Sequence, residues 1–140
     1  MKKSAEAVLS SHGLRKTGIR MKIIDRLQES EFAMSQPDLE QEFQKEADRV
    51  TIYRTLYSLE EKGVIHRIID LTGVSRYAIC EDSCDSQHHA DEHLHFHCLN
   101  CGNVYCLQVP ALPSYSLPRG YKIESTRLSA EGTCASCSQS

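Results

Sequence analysis

Two Cys-x-x-Cys units constrain this chain more than any other feature of its sequence. They are Cys98-Leu99-Asn100-Cys101 and Cys134-Ala135-Ser136-Cys137. A tight turn brings residues i and i+3 together, so the two thiolates of each unit can reach one ion, and a glycine after the first unit supplies the backbone freedom that such a turn often needs. Four thiolates form the closed tetrahedral set that is typical of structural zinc. Because 32 residues separate the units, the ion is predicted to hold the C-terminal segment against a distant strand.

The alternative interpretation of these cysteines is a pair of disulfides or redox-active pairs. The chain has 7 Cys, an odd number, and no apolar run follows its first residues as it would in a secretion signal. Thiols stay reduced in the cytosol, so we expect a cytoplasmic protein whose cysteines bind zinc. No stretch approaches 18 consecutive apolar residues, and we therefore expect no membrane partner.

The metal-binding residue types are concentrated in the second half of the chain. Residues 1–79 contain 13 Lys/Arg and 12 Asp/Glu and no Cys, whereas residues 80–140 contain 3 Lys/Arg, 7 Asp/Glu, all 7 Cys and five of the 7 His. Residues 81–92 are polar and show no periodicity, which predicts a linker loop. A chain of 140 residues has room for two small domains on either side of it.

Helical periodicity predicts three or four helices in the first half, followed by a hairpin. In the last helix, Ile52, Leu56 and Leu59 recur at i, i+4 and i+7, which predicts one buried face. Two β-rich runs follow, residues 64–69 and 75–80, with turn residues between them. This order is that of a winged helix-turn-helix, in which the last helix enters the major groove of DNA.

The outer face of the last helix carries basic and polar side chains. Such a face is often only a solvated surface, but phosphate neutralisation also requires Lys and Arg close to a docking helix, and residues 1–26 hold 7 basic and 2 acidic side chains. The formal net charge of −3 argues against a nonspecific nucleic-acid coat. The candidate DNA contacts are Lys16, Thr17, Arg20, Arg49, Thr51, Tyr53 and Arg54.

A strictly alternating segment precedes the first Cys-x-x-Cys unit: His93-Leu94-His95-Phe96-His97. On a β-strand its three histidines are expected to face one side, while Leu94 and Phe96 face the core. Two imidazoles at i and i+2 can share a first-row metal ion. A further ligand must come from elsewhere, and Cys80 at the end of the hairpin and Cys106 on the next predicted strand are both candidates.

Eight short motifs, spread along nearly the whole chain, matter together because of the order in which they follow one another. They are Thr17-Gly18-Ile19-Arg20, Val50-Thr51-Ile52-Tyr53-Arg54-Thr55-Leu56, Leu59-Glu60-Glu61-Lys62-Gly63, Arg76-Tyr77, His93-Leu94-His95-Phe96-His97-Cys98-Leu99-Asn100-Cys101-Gly102, Gly120-Tyr121-Lys122-Ile123, Leu128 and Gly132-Thr133-Cys134-Ala135-Ser136-Cys137. Any one motif is weak evidence, but together they resemble the ferric uptake regulator superfamily of bacterial metal-dependent repressors.

The resemblance implies an α+β protein with an N-terminal winged helix-turn-helix and a small C-terminal α/β dimerisation domain that contains structural zinc. We accordingly expect a DNA-binding domain at residues 1–80, a hinge loop at residues 81–92 and a dimerisation and metal-binding domain at residues 93–140. The resemblance also implies a homodimer on double-stranded operator DNA, with Tyr53 and Arg54 on the recognition helix and Arg20 near the DNA backbone. It implies that structural zinc is held by Cys98, Cys101, Cys134 and Cys137.

The prediction of which metal is sensed rests on positions where this chain differs from the family pattern. The family commonly takes a regulatory His from the segment that here reads Phe32-Ala33-Met34-Ser35, and it often has acidic residues where this chain has Ala78 and Cys106. Cys80 matches a Cys ligand found in zinc uptake regulators of the family. Replacing oxygen ligands by sulfur favours zinc over iron or manganese. We therefore expect a zinc-sensing repressor of metal uptake genes, with a second, regulatory metal bound by Cys80, His93 and His95 and a fourth ligand from Asp70, Cys84 or Cys106.

Two segments depart further from the family. The loop at residues 81–92 is longer than usual, and its Cys84, His88 and His89 could add ligands, whereas His97 has no assigned role. The family usually has a helix where this chain has residues 110–118, but three prolines in that segment make a helix improbable. The details of the dimer interface are therefore not predicted.

Three other functions are consistent with parts of the sequence. An iron- or peroxide-responsive repressor with the same fold would need a site of His and carboxylate ligands, which bind iron. A zinc enzyme would need an open metal position and a Glu base; Glu92 is adjacent, but no catalytic motif accompanies it, so we expect neither an enzyme nor a small-molecule substrate. A zinc-stabilised interaction module without DNA activity is the third.

Overall fold

The computed structural model describes residues 3–79, 93–108, 116–123 and 128–139. Within these ranges the elements are α1 (Ala5–Ser11), α2 (Gly18–Glu29), β1 (Met34–Ser35), α3 (Gln36–Glu42), α4 (Arg49–Glu61), β2 (Ile65–Ile69), β3 (Ser75–Ile79), β4 (His93–Cys98), β5 (Val104–Gln108), β6 (Leu128–Gly132) and α5 (Ala135–Ser138). This mixture of helices and two small sheets confirms the predicted α+β class. None of the described helices combines the length and the apolarity that crossing a bilayer requires.

The helices of the N-terminal half begin at side-chain caps. The Thr17 hydroxyl accepts the Arg20 N–H ahead of α2, and the Asp48 carboxylate accepts the Thr51 N–H at 2.8 Å ahead of α4. Each such cap satisfies a backbone donor that the helix itself leaves unpaired. Gly63, at a φ of 79°, follows α4 in the left-handed conformation that glycine adopts without a Cβ penalty.

One apolar core joins these helices to the hairpin. The predicted stripe on α4 is buried, because Ile52, Leu56 and Leu59 are each at most 1% exposed. Burying each such side chain stabilises the fold by roughly 1.5–3 kcal/mol. They belong to a buried cluster with residues of the other N-terminal elements: Ala5, Val8, Leu9, Ile23, Ile24, Leu27, Met34, Leu39, Val64, Ile65 and Tyr77.

The wing is a three-stranded sheet in the order β1-β3-β2. The predicted hairpin of β2 and β3 is confirmed, with His66 opposite Ala78 and Ile69 opposite Ser75. The third strand, β1, was not predicted, because two residues are too short to show a sequence period; it pairs Met34 with Tyr77.

The second sheet has the order β5-β4-β6. Strands β4 and β5 were expected and pair antiparallel, whereas β6 was not expected and pairs parallel with β4, placing Gly132 opposite Cys98. The C-terminal segment therefore returns to the first Cys-x-x-Cys unit as a strand. Residues 116–118 are irregular; the rest of the proline-rich segment and the whole hinge loop at 81–92, with Cys84, His88 and His89, lie outside the described residues.

The N-terminal half packs on the edge and the histidine face of this second sheet. The Ala33 N–H donates to the Val104 carbonyl at 2.7 Å, and these two residues share a small buried cluster with Ile68. His95 and His97 are each only 6% exposed, whereas Leu94 and Phe96 are half-buried. The predicted alternation is confirmed, but the prediction that Leu94 and Phe96 form the buried face was wrong. The face with His95 and His97 is the more buried one, because the N-terminal half packs on it.

Candidate metal centres and nucleic-acid interface

The two Cys-x-x-Cys units come together at one end of the second sheet. The Sγ atoms of Cys98, Cys101, Cys134 and Cys137 all lie within 4.8 Å of one another, and those of Cys101 and Cys134 are 3.9 Å apart. Two backbone hydrogen bonds fix this geometry: the Gly102 N–H donates to the Cys98 carbonyl at 3.0 Å, and the Leu99 N–H donates to the Gly132 carbonyl at 2.7 Å. The turn after β4 and the β4–β6 pairing thus bring four sulfurs to one point.

Backbone and side-chain donors favour thiolates in this group. The Cys98 sulfur accepts the N–H groups of Cys101 at 3.5 Å and Cys134 at 3.3 Å, and these hydrogen bonds lower the pKa of Cys98 to about 6. The Tyr105 hydroxyl bonds to Cys134, which lowers the pKa of the thiol and, together with burial, raises the pKa of Tyr105 to about 12. Asn100 lowers the pKa of Cys137, but neighbouring sulfurs and burial outweigh it and raise that pKa to about 11.

Ionised sulfurs this close together repel one another, so not all four thiols can ionise at once without a cation. A bound divalent cation would remove the repulsion and deprotonate a coordinating thiol. The four sulfurs and their N–H donors therefore fit a tetrahedral zinc ion.

A second group of metal-ligating side chains joins the wing to the second sheet. One ligand atom each of His66, His95 and Cys106 lies within 4.8 Å of the others. The Cys106 Sγ is 3.4 Å from the His66 Nε2, and the ring centroids of His66 and His95 are 5.5 Å apart. His66 is 3% exposed and His95 is 6% exposed. We call this group the interdomain cluster; its ligands come from β2, β4 and β5.

The interdomain cluster overlaps only in part with the predicted regulatory site. His95 and Cys106 belong to both sets, and His66 was not predicted. Cys80, Cys84 and the side chain of His93 lie outside what the structure describes. Asp70 is not a member of the cluster, since its carboxylate accepts hydrogen bonds from Thr72, Val74 and Arg76 within the wing.

His66 was not predicted as a metal ligand, because a single histidine in the β-rich run Ile65-His66-Arg67-Ile68-Ile69 is typical of an ordinary strand residue. The available signal was the alternation of β2, which puts His66 and Ile68 on the same side. Both are buried. His97, on the same face of β4 as His95, is also buried, and its Nδ1 has no hydrogen-bond partner among the described residues.

The predicted DNA contacts lie at the N-terminal part of α4 and before and within α2. Arg49, Thr51, Tyr53 and Arg54 are all exposed, with 55% of Tyr53 accessible. Lys16 and Arg49 contact carboxylates, at 3.3 Å from Glu6 and 3.5 Å from Glu40 respectively. The Lys16–Glu6 pair is exposed on both sides, so it contributes little to stability, whereas the Glu40 side chain is only 17% exposed.

Arg20 and Thr17 have structural contacts besides their predicted role. The Arg20 guanidinium donates to the Arg15 carbonyl at 2.7 Å and to the Ser58 hydroxyl at 3.2 Å, which links the start of α2 to α4. Thr17 caps α2 through the Arg20 N–H. The structure thus places the guanidinium of Arg20 beside the outer face of α4.

Comparison with known proteins gives the context of this architecture. The model of the "Ferric uptake regulator family" matches residues 11–130. The ferric uptake regulation protein of Neisseria gonorrhoeae is 29% identical over 139 residues, covering 94% of this chain and 91% of the relative. Proteins of the same name from Neisseria meningitidis match equally well.

Solved structures share the fold at lower identity. A zinc uptake regulator in complex with zinc and DNA superposes with a TM-score of 0.67 at 22% identity, covering 96% of this chain and 91% of that one. A zinc-bound manganese uptake regulator superposes with a TM-score of 0.64 at 23% identity, covering 94% and 99%. Proteins with different metals in their names therefore share this fold.

Proposed function

Since the chain belongs to the ferric uptake regulator family of metal-responsive transcription regulators and is not an enzyme, we propose that it is a zinc-sensing repressor of metal uptake genes. In this proposal a homodimer binds operator DNA through α4 when zinc occupies the interdomain cluster. A separate zinc ion in the four-cysteine site holds the C-terminal segment in place. The winged-helix domain is taken as residues 1–80 and the dimerisation domain as residues 93–140.

The observation that carries this proposal is the meeting of His66, His95 and Cys106 between the wing and the second sheet. Two imidazoles and a thiolate favour zinc over iron or manganese, which prefer oxygen ligands. Cys80 directly follows β3 in the sequence, and we propose it as the fourth ligand. His93, a predicted ligand of the regulatory metal, is the alternative.

The mechanism is a linkage between metal binding and domain orientation. Because the ligands of the cluster lie on both halves of the chain, a metal ion binds more tightly to the orientation in which those ligands converge. Metal binding therefore shifts the population toward that orientation, and a ligand shifts such an equilibrium only by its difference in affinity for the two states. The orientation fixed by the metal would set the spacing of the two α4 helices in the dimer.

The proposal is tested by metal analysis of protein purified under reducing conditions, combined with fluorescence anisotropy of labelled promoter DNA. We expect about one tightly held zinc per chain, and a second zinc that is required for DNA binding. His66→Ala should retain the first zinc and lose the zinc response, while His12→Ala, which removes the histidine that caps the C-terminus of α1, should keep both. DNA binding restored by iron or manganese but not by zinc would reject zinc sensing.

An iron-responsive repressor is the second candidate, because the relatives at 29% identity are ferric uptake regulation proteins. Anaerobic titration with Fe²⁺ in the same assay decides between the two metals. Loss of DNA binding on treatment of the Fe²⁺ form with hydrogen peroxide, but not of the zinc form, would indicate a peroxide sensor. An interaction module without DNA activity would leave promoter binding undetectable with every metal.

A further inference from the structure

Three consecutive residues of β5 contact the N-terminal half at two places, residues 32–33 and strand β2. The Val104 carbonyl accepts the Ala33 N–H at 2.7 Å. The Tyr105 ring meets the Phe32 ring edge-on, with centroids 6.2 Å apart and planes at 77°. The Cys106 Sγ lies 3.4 Å from the His66 Nε2. A displacement of β5 would therefore change the contact with the N-terminal half and the geometry of the interdomain cluster together.

The Tyr105 side chain also reaches the four-cysteine site. Tyr105 and Cys134 line the same groove of about 390 Å³ together with Phe96 and Thr133, and the Tyr105 hydroxyl interacts with the Cys134 sulfur, which lowers the pKa of that thiol. Successive residues of a strand point to opposite faces, so Tyr105 lies on the face away from His95 while its neighbour Cys106 lies on the face toward it. One strand thus contacts both groups of sulfur ligands through adjacent residues.

We propose that Tyr105 is a positioning residue that couples the four-cysteine site to the interdomain cluster. Zinc in the four-cysteine site would fix Cys134, the contact between Cys134 and the Tyr105 side chain in their shared groove would fix Tyr105, and the backbone of β5 would fix Cys106 relative to His66. The ring contact with Phe32 fixes the N-terminal half against the same strand. This inference rests on the proposed function, because it requires that both sites bind metal.

Coupling of this kind is reciprocal in affinity: if zinc in the first site strengthens binding at the second, metal at the second must strengthen zinc binding at the first by the same factor. We expect the tighter zinc site to lose its ion more slowly. Residues that orient metal ligands typically change metal affinity by about 10- to 100-fold when they are replaced. We expect an effect near the lower end of that range, because a single hydroxyl is involved.

The test uses the full chain with isotope-labelled zinc in the four-cysteine site and Co²⁺ titrated into the interdomain cluster. The sulfur-to-cobalt charge-transfer band reports the bonds of Co²⁺ to Cys106 and to the proposed fourth ligand Cys80, and labelled zinc that leaves the protein reports the first site. Tyr105→Phe removes the hydroxyl and keeps the ring. Tyr121→Phe, at a residue that is 69% exposed, is the matched control.

For the wild-type chain and Tyr121→Phe, we expect saturating Co²⁺ to slow the loss of labelled zinc by about 10-fold. For Tyr105→Phe we expect that protection to vanish, the Co²⁺ affinity to fall by a similar factor and the charge-transfer band to shift. Equal protection and affinity in all three proteins would overturn the coupling and leave zinc sensing standing. Absence of a Co²⁺ site in the wild-type chain would overturn both.

If Tyr105→Phe fails to fold or to retain zinc, Phe32→Leu decides the question, because it removes the ring contact while leaving the Tyr105 hydroxyl in place. The coupling predicts a weaker Co²⁺ site with an unchanged rate of zinc loss in the absence of cobalt. A Co²⁺ affinity equal to that of the wild-type chain would reject the role of the ring contact and with it the proposal.

Discussion

Arg76 donates from its Nε to the Oδ2 of Asp70 at 2.8 Å, and their side chains are only 18% and 5% exposed. The same guanidinium donates from Nη1 to the Ala33 carbonyl at 3.4 Å, while the Ala33 N–H donates to Val104. The ion pair that closes the wing hairpin is therefore continuous with the contact between the two halves of the chain.

Asp70→Asn is expected to destabilise the fold by about 3 kcal/mol, because it leaves a largely buried guanidinium without its counter-charge. Chemical denaturation measures the change. Glu60→Gln is the control, since the Arg67–Glu60 pair is 51% and 33% exposed and should contribute little. Equal stabilities for the two variants would contradict the role given to Asp70.

The same pair predicts a pH dependence of stability. Burial alone would raise the pKa of Asp70, but hydrogen bonds from Thr72, Arg76 and the Val74 N–H outweigh it and hold the pKa well below its ordinary value of 3.8. The folded-state pKa is thus below the unfolded one, so the stabilisation is complete above that ordinary value and is lost as the pH falls below it. Acid unfolding of Asp70→Asn should show a correspondingly shallower dependence on pH in this range.

Cys106→Asp should change which metal the interdomain cluster prefers. An oxygen ligand in place of sulfur weakens binding of zinc relative to manganese and iron, and we expect the ratio of zinc to manganese affinity to fall by roughly 10-fold or more. Competition with a metal-ion indicator gives the two affinities. Zinc retention in the four-cysteine site is the internal check, and an unaltered ratio would show that Cys106 is not a ligand.

Gly132→Val should weaken the four-cysteine site without touching a sulfur. A Cβ at Gly132 would stand 3.2 Å from the Phe96 Cζ, and the larger valine would force the ring or β6 to move, at a cost of about 1–3 kcal/mol. Zinc release to a chelator should accelerate, because β6 leads directly to Cys134. Ser129→Val, at an exposed position of the same strand, should leave the release rate unchanged.

Arg54→Ala and Arg20→Ala should weaken DNA binding in distinguishable ways. Loss of a base contact by Arg54 is expected to cost about 1–3 kcal/mol and to relax sequence preference, whereas loss of a phosphate contact by Arg20 should weaken all sequences alike and reduce the salt slope by about 1. Promoter and scrambled DNA are compared by anisotropy at several salt concentrations. Arg119→Ala, at an exposed residue of the C-terminal half, is the control.

Local features of the fold were predictable because their causes are local. Thr17 and Asp48 cap helices through N–H groups three residues away, and the period of Ile52, Leu56 and Leu59 defines a face within one helix. The hairpin β2–β3 follows from turn residues between two short β-rich runs. This order of elements predicted the winged helix-turn-helix, whereas the α+β class with its small dimerisation domain was implied by the family resemblance.

By itself the sequence determined the helices of the N-terminal half, the hairpin and the pairing of cysteines within each Cys-x-x-Cys unit, since such a unit converges within a single turn; it did not predict the short helix α5. Only the tertiary structure decided that His66 lies beside Cys106, that β6 runs parallel to β4, and that the histidine face of β4 is the covered one. Each of these depends on surfaces that lie far apart along the chain. Their contact is set by how whole elements pack together, and no short sequence period records that packing.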